Sequence, residues 1–159
     1  MLLVADSSAL IAFAICDSLN LLDLLYEEVK VPTEVYNEVT QPLKKEAKKL
    51  ADYLKDKIAD INIQDYIISD FNLGVGELHA MALYKKLNAD IMLVDDKKAR
   101  QIAEFNGIKI IGSIGILLLT HRKKLLINIT DKLNMLKNSD LHLSSVLIKN
   151  ALEIAKTQK

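Results

Sequence analysis

The chain has 159 residues, of which 50% are hydrophobic, and it contains 21 basic and 21 acidic residues. This length predicts a single domain, 1–159, with a C-terminal helical tail at about 122–159, and the hydrophobic share is ample for one core. The net charge of +0 excludes a basic footprint over the whole surface, although residues 121–159 alone carry a net charge of +5. The apolar runs are too short to span a membrane. With no basic leader and one cysteine, Cys16, we expect a cytoplasmic protein without an intrachain disulfide.

Short apolar runs alternate with helical patterns along the chain. The apolar runs predict strands at residues 2–5, 28–31, 60–63, 89–94 and 108–111. Helical spacing predicts helices at 7–15, 19–27, 33–39, 44–58, 77–87, 97–106, 116–121, 130–137 and 145–156. Residues 67–73 are a connection, and residues 112–115 a turn. Strands that alternate with helices predict βαβ units, and therefore an α/β fold with a mainly parallel sheet.

Several helix ends have recognisable capping residues. Asp17 and Ser18 are predicted to cap the second helix, Thr130 the helix before the last, and Ser144 the last helix. The last helix has an apolar stripe, which predicts that it packs on the domain. The stripe consists of Leu143, Leu147, Ala151 and Ile154.

Acidic residues follow two of the predicted strands directly. Asp95 and Asp96 come after the strand at 89–94, and Asp6 comes after the first strand. Ligands of open α/β sheets bind beyond the carboxyl ends of the strands, so these carboxylates lie where chemistry is expected. Neighbouring carboxylates repel one another unless a cation lies between them. The alternative is that one of the adjacent pair only caps the next helix.

The complete acidic set has the oxygen ligands that Mg²⁺ or Mn²⁺ prefers. Its members, each near an element boundary, are Asp6, Glu38, Glu77, Asp95 and Asp96. Two such ions, about 3.5–4 Å apart, could activate a water and stabilise the leaving oxygen in phosphodiester cleavage. No Cys/His pair has the spacing of a zinc site.

Six segments together resemble the PIN domain superfamily, and most closely its prokaryotic branch related to VapC toxins. In chain order they are residues 4–12, 21–25, 31–39, 74–77, 94–100 and 111–117. Each motif alone is weak, but six in the right order are specific. The resemblance implies a three-layer α/β/α sandwich and a divalent-metal-dependent ribonuclease.

The resemblance also implies roles for individual residues. Asp6 matches the metal ligand after strand one, Glu38 the acid on the helix after strand two, and Glu77 the acid that opens the central helix. Asp95 and Asp96 cover the acids after the next strand, with Asp95 ranked first. Ser8 matches a hydroxyl beside the first Asp and is predicted to contact the substrate. The chain departs from the pattern at Val94, because VapC proteins usually have a threonine there or one residue earlier.

Two positions in these segments have alternatives. Glu34 lies one helical turn before Glu38 and could replace it as the acidic ligand. Arg100 could bind a substrate phosphate, or it could neutralise Asp96. The glycines at 74 and 76 match neither a P-loop nor a dinucleotide fingerprint, and are predicted to form a turn that positions Glu77.

Other function classes fit the sequence less well. A phosphotransferase of the haloacid dehalogenase type needs a second Asp where Ser8 stands, and a receiver domain needs a Lys after a late strand, whereas Lys109 falls within one. The alternative function is a non-catalytic PIN-like module that binds RNA or a protein.

The expected partners are an RNA substrate, a second copy of the chain and, from the resemblance alone, a small antitoxin. A homodimer is predicted because the apolar faces of the helices at 19–27 and 116–121 need a partner surface.

Overall fold

The computed structural model describes residues 1–66, 72–125 and 128–157, and most of the predicted connection at 67–73 lies outside them. Within the described residues, five strands form one parallel sheet. They are β1 (Leu2–Ala5), β2 (Glu28–Pro32), β3 (Ile58–Ala59), β4 (Ile91–Leu93) and β5 (Ile110–Ile111). The strand order is β3-β2-β1-β4-β5, which confirms the predicted parallel sheet.

Helices flank the sheet in the three-layer α/β/α arrangement of a PIN-like fold. They are α1 (Ser7–Ile15), α2 (Asn20–Leu25), α3 (Thr33–Val39), α4 (Ala47–Leu54), α5 (Val75–Leu87), α6 (Lys97–Phe105), α7 (Ser113–Arg122), α8 (Ile129–Lys137) and α9 (Ser145–Thr157). A short 3-10 helix (Ile63–Asp65) precedes α5. Among the described helices, none has the length and apolar character that crossing a bilayer requires.

The central strand explains how the core forms. Leu3, Val4 and Ala5 of β1 are fully buried. A parallel strand covered by helices on both faces needs such a continuous apolar run. The chain order reverses beside β1, since β2 pairs with one of its edges and β4 with the other. This switch point opens a crevice at the carboxyl ends of β1 and β4.

Three predictions between residues 17 and 63 are wrong. Asp17 adopts the left-handed conformation (φ 47°) and pairs with Lys49, while the Ser18 hydroxyl donates to the Cys16 carbonyl, so neither residue caps α2. The helix predicted at 44–58 is shorter, because turns precede Ala47. The strand predicted at 60–63 lies instead at 58–59, where it pairs with β2.

Later boundaries also differ from the prediction. Helix α7 already begins at Ser113, inside the predicted turn, and Asn128 rather than Thr130 caps α8 by accepting from the Asp131 amide. The Ser144 cap is confirmed, since its hydroxyl accepts from the Leu147 amide at 3.3 Å. Helix α9 packs on α7 and α8 through Ile148, Ala151 and Ala155. Two members of the predicted stripe, Leu147 and Ile154, are 51% and 41% exposed.

Candidate functional site

The carboxyl ends of β1 and β4 bring two of the predicted acids together. Ala5 pairs with Leu93 in the sheet, and the Asp6 amide donates to the Leu93 carbonyl at 2.9 Å. Asp95 follows β4 by two residues, so it lies at the same edge of the sheet as Asp6. This edge is the switch point of the strand order.

The Ser8 hydroxyl connects the two strand ends. It donates to Asp6 Oδ2 at 3.2 Å and accepts from the Asp95 amide at 3.4 Å. Ser8 was predicted to lie beside the first Asp and to contact the substrate. In the structure its hydroxyl forms hydrogen bonds with Asp6 and Asp95. Ser8 therefore fixes the start of α1 against the end of β4.

Asp6 lies in an environment that disfavours its charge. It is 2% exposed, and its Oδ1 is buried without a hydrogen-bond partner. Burial, together with the nearby carboxylates of Glu77 and Glu38, raises the pKa of Asp6 to about 7. The hydrogen bonds from the Ser7 amide and the Ser8 hydroxyl oppose this rise. A cation bound beside Asp6 would instead favour the ionised carboxylate.

Helix α3 brings Glu38 to this cluster. The Ser7 hydroxyl donates to Glu38 Oε2 at 2.8 Å, and so ties the start of α1 to the end of α3. Gly76, in the first turn of α5, packs against the same carboxylate. A Cβ at Gly76 would lie 2.9 Å from Glu38 Oε2, so the absence of a side chain there permits the close approach.

The carboxylate of Glu77 accepts a hydrogen bond at the start of α5. Its Oε2 accepts from the Gly74 amide at 2.8 Å, as expected for an acid in the third position of a helix that reaches back to the cap. Its charge also acts on Asp6. Gly74 caps α5 and Gly76 lies in its first turn, so the helix begins at Val75, two residues before the predicted start.

Asp95 is held by the N-terminus of α7. Its Oδ1 accepts from the Ser113 amide at 2.8 Å, and its Oδ2 is buried without a partner. Burial raises the pKa of Asp95, while the bonds from Ser113 and the charge of Arg100 oppose the rise. Gly112 allows this packing, because a Cβ there would lie 3.0 Å from both Asp95 Oδ1 and Arg100 Nη1.

Asp96 and Arg100 form hydrogen bonds within the segment that contains β4 and α6. Asp96 is exposed and caps α6, since its Oδ1 accepts from the Ala99 amide at 2.8 Å. The capping alternative thus applies to Asp96, while Asp95 connects to Asp6 through Ser8. Arg100 donates to the Val94 carbonyl at 3.0 Å, and its charge acts on Asp95.

A family model described as a PIN domain matches residues 2–157. The chain belongs to the PIN domain family. It matches no curated protein and no solved structure. PIN domains are commonly metal-dependent nucleases, so a nuclease-type function follows for this PIN domain in general terms.

The carboxylates of this PIN domain fit a divalent cation by their chemistry. Asp6 and Asp95 each have one buried oxygen without a partner, and hard oxygen donors of this kind suit Mg²⁺ or Mn²⁺. Across residues 1–66, 72–125 and 128–157, no three acidic, His or Cys side chains already form a metal-binding group. Metal binding would therefore require the carboxylates to reorient.

The alternative acid Glu34 pairs with a histidine of α5. Its Oε1 lies 3.3 Å from His79 Nε2, one helical turn from the contact between Glu38 and Gly76. His79 also contacts the Val75 carbonyl through Nδ1 at 2.7 Å. This pair joins α3 to α5, so Glu38 rather than Glu34 is placed beside Asp6.

Two serines of the site were not predicted. Ser7 binds Glu38, and Ser113 binds Asp95 through its amide. The segment 111–117 was noted for its resemblance, but residues 112–115 within it were interpreted as a turn. A serine between two glycines after a strand was the available signal, because such residues often begin a helix.

Proposed function

We propose that this PIN domain is a divalent-metal-dependent endoribonuclease that hydrolyses RNA phosphodiester bonds with Mg²⁺ or Mn²⁺. One observation carries the proposal: the Ser8 hydroxyl joins Asp6 and Asp95 at the switch point of the sheet, with Glu38 and Glu77 next to Asp6. Carboxylates gathered around the buried Asp6 in this way are unfavourable without a cation.

Four carboxylates would hold the metal, those of Asp6, Glu38, Glu77 and Asp95, with Asp96 at the rim. The bound ion supplies the positive charge that activates a water and stabilises the leaving oxygen. The protein contributes orientation. Ser7 holds Glu38, the Ser113 amide holds Asp95, and Ser8 fixes the distance between the two strand ends.

We propose that Arg100 contacts the substrate. Its bond to the Val94 carbonyl fixes the guanidinium beside Asp95 while it remains partly exposed. We propose that its free N–H groups donate to an oxygen of the RNA phosphate, with Ser8 as a second contact at the same edge.

The decisive experiment measures cleavage of labelled single-stranded RNA with Mn²⁺, with Mg²⁺ and with a chelator. Asp6→Asn and Asp95→Asn should abolish metal-dependent cleavage while the circular dichroism spectrum is unchanged. Asp52→Asn makes the same chemical change at an exposed position on α4 and is the matched control. Equal cleavage by all four proteins would sink the proposal.

The second candidate is a PIN-like module that binds RNA or protein without cleaving it. The absence of a ready three-ligand group among the described residues favours this alternative, as does Val94 at a position where related proteins have a hydroxyl. Tight RNA binding that no divalent metal converts into cleavage would establish it.

We further propose that the protein acts in the cytoplasm as the toxin of a toxin–antitoxin pair, and that it forms a homodimer. The antitoxin would insert an Arg or Lys into the carboxylate cluster and displace the metal. Recovery of the native chain alone and active would count against a dedicated inhibitor.

One of the two helix faces expected at the dimer interface is covered within the chain, because Ile116 and Leu117 of α7 are fully buried. Leu24 of α2 remains 57% exposed, so the proposed dimer would use α2. Light scattering at micromolar concentration tests it.

A further inference from the structure

A pocket of about 960 Å³ opens beside the acidic cluster. Ser8, Asp95 and Asp96 line one part of it, and residues 141–144 with Leu147, from the segment that leads into α9, line another. Its volume lies at the upper end of the range of roughly 300–1,000 Å³ that is usual for ligand sites. Any molecule that fills this pocket must lie next to Asp95.

The walls of the pocket are mainly aliphatic. Ile110, Ile114 and Leu118 line it from β5 and α7, and Leu143 and Leu147 line it from the segment before and within α9. Leu147 is 51% exposed, although the neighbouring Ile148 is buried against α7 and α8. An aliphatic wall open to solvent can cover the flat face of a heterocyclic ring.

Two cations line the pocket together with the acids. They are Lys97 and Arg100, and the charge of Arg100 acts on Asp95. The exposed side chains of His142 and Ser144 add hydrogen-bonding groups to the lining. The pocket thus combines apolar walls, two cations and polar groups that can bond to the edge of a base.

We propose that this pocket binds one nucleobase of the RNA, that of a nucleotide adjacent to the scissile phosphate. The proposal rests on the proposed ribonuclease function and adds a base-binding subsite to it. A nucleotide joins an apolar ring to an anionic phosphate, which matches aliphatic walls with Lys97 and Arg100 beside Asp95. The tail of the chain, through Leu143 and Leu147, then contributes directly to substrate selection.

The test compares two exposed neighbours on α9. Leu147 lines the pocket, whereas Val146, which is 64% exposed, does not. Binding of a short labelled single-stranded RNA is measured by fluorescence anisotropy in the Asp6→Asn background, so that cleavage does not interfere. Leu147→Glu should weaken binding about tenfold, within the range for loss of one base contact, and Val146→Glu should leave the dissociation constant nearly unchanged.

An abasic RNA of the same length isolates the contribution of the bases. The protein with Leu147 intact should bind ordinary RNA more tightly than abasic RNA, and Leu147→Glu should remove most of that difference. If Leu147→Glu fails to fold, Lys97→Ala replaces it, with Lys109→Ala as the exposed control outside the pocket. Lys97→Ala alone should weaken binding and flatten its dependence on salt.

The outcomes separate the two proposals. If the unmodified chain cleaves RNA but abasic and ordinary RNA bind equally, the base-binding subsite is refuted and the nuclease function stands. If neither cleavage nor RNA binding occurs, both fail. If RNA binding is unchanged while Leu147→Glu abolishes binding of a partner protein, the pocket is a protein-docking site and the subsite is again refuted.

Discussion

Replacing Asp6 with Asn should stabilise the metal-free protein at neutral and alkaline pH. The pKa of Asp6 is raised to about 7 from an ordinary value of 3.8, mainly by burial and then by Glu77 and Glu38. Each pKa unit corresponds to about 1.4 kcal/mol, so ionised Asp6 lowers the free energy of unfolding by about 4 kcal/mol at pH 8. Asn has nearly the shape of the protonated carboxyl group and carries no charge.

The direction of the pH dependence follows from the raised pKa. Because the folded protein binds the Asp6 proton more tightly than the unfolded chain does, its contribution to stability is complete below pH 3.8. That contribution is lost as the pH rises to about 7. The advantage of Asp6→Asn over the parent should therefore be small at pH 4 and greatest at pH 8. For a domain of this size it corresponds to a rise in Tm on the order of 10 °C.

Thermal unfolding followed by circular dichroism at pH 4 and pH 8, in the presence of a chelator, measures the effect. Asp96→Asn is the control, because Asp96 is exposed and Asn caps a helix as well as Asp does. The reasoning is refuted if Asp6→Asn lowers Tm at pH 8, because the ionised carboxylate would then stabilise the folded protein.

Three further predictions test the site and its support. Asp95→Asn should reduce Mn²⁺-dependent RNA cleavage by about 100-fold or more, at least the loss seen for residues that only orient metal ligands, with Asp52→Asn unchanged. Gly76→Ala should alter stability by only about 1 kcal/mol, since helix propensity offsets a contact with a movable carboxylate. It should nevertheless lower cleavage by displacing Glu38, and unchanged cleavage would contradict that placement. Leu93→Ala, at a fully buried strand position, should lower the free energy of unfolding by about 2–5 kcal/mol, as measured by urea unfolding.

The parallel sheet and its acidic edge were predictable because their signals are local. β1 agrees with its predicted bounds, and Asp6 follows it directly, so hydrophobic pattern and strand ends sufficed. Which of Asp95 and Asp96 lies closer to Asp6 was harder to predict from the sequence. Both can cap a helix, and only the packing of Ser8 and Ser113 against Asp95 distinguishes them.

The errors arose where tertiary contacts override local preference. Asp17 has the side chain of a helix cap, but it pairs with Lys49, which is distant in sequence. In α9, the stripe chosen by spacing included Leu147, whereas packing against α7 and α8 buries Ile148. The pocket beside Asp95 could not be predicted either, because it depends on where the tail returns to the sheet.

The pairing of β1 with β4 has a consequence for when the acidic edge forms during synthesis. Leu3 pairs with Ile91, so this edge closes only when a long intervening segment has been made and folded. Contacts between residues so distant in sequence form slowly, because the loop must close before they stabilise the chain. The first three helices and β2 leave the ribosome while Asp6 still lacks its partner strand. If the protein cleaves RNA as proposed, a nascent chain therefore cannot do so until β4 has emerged.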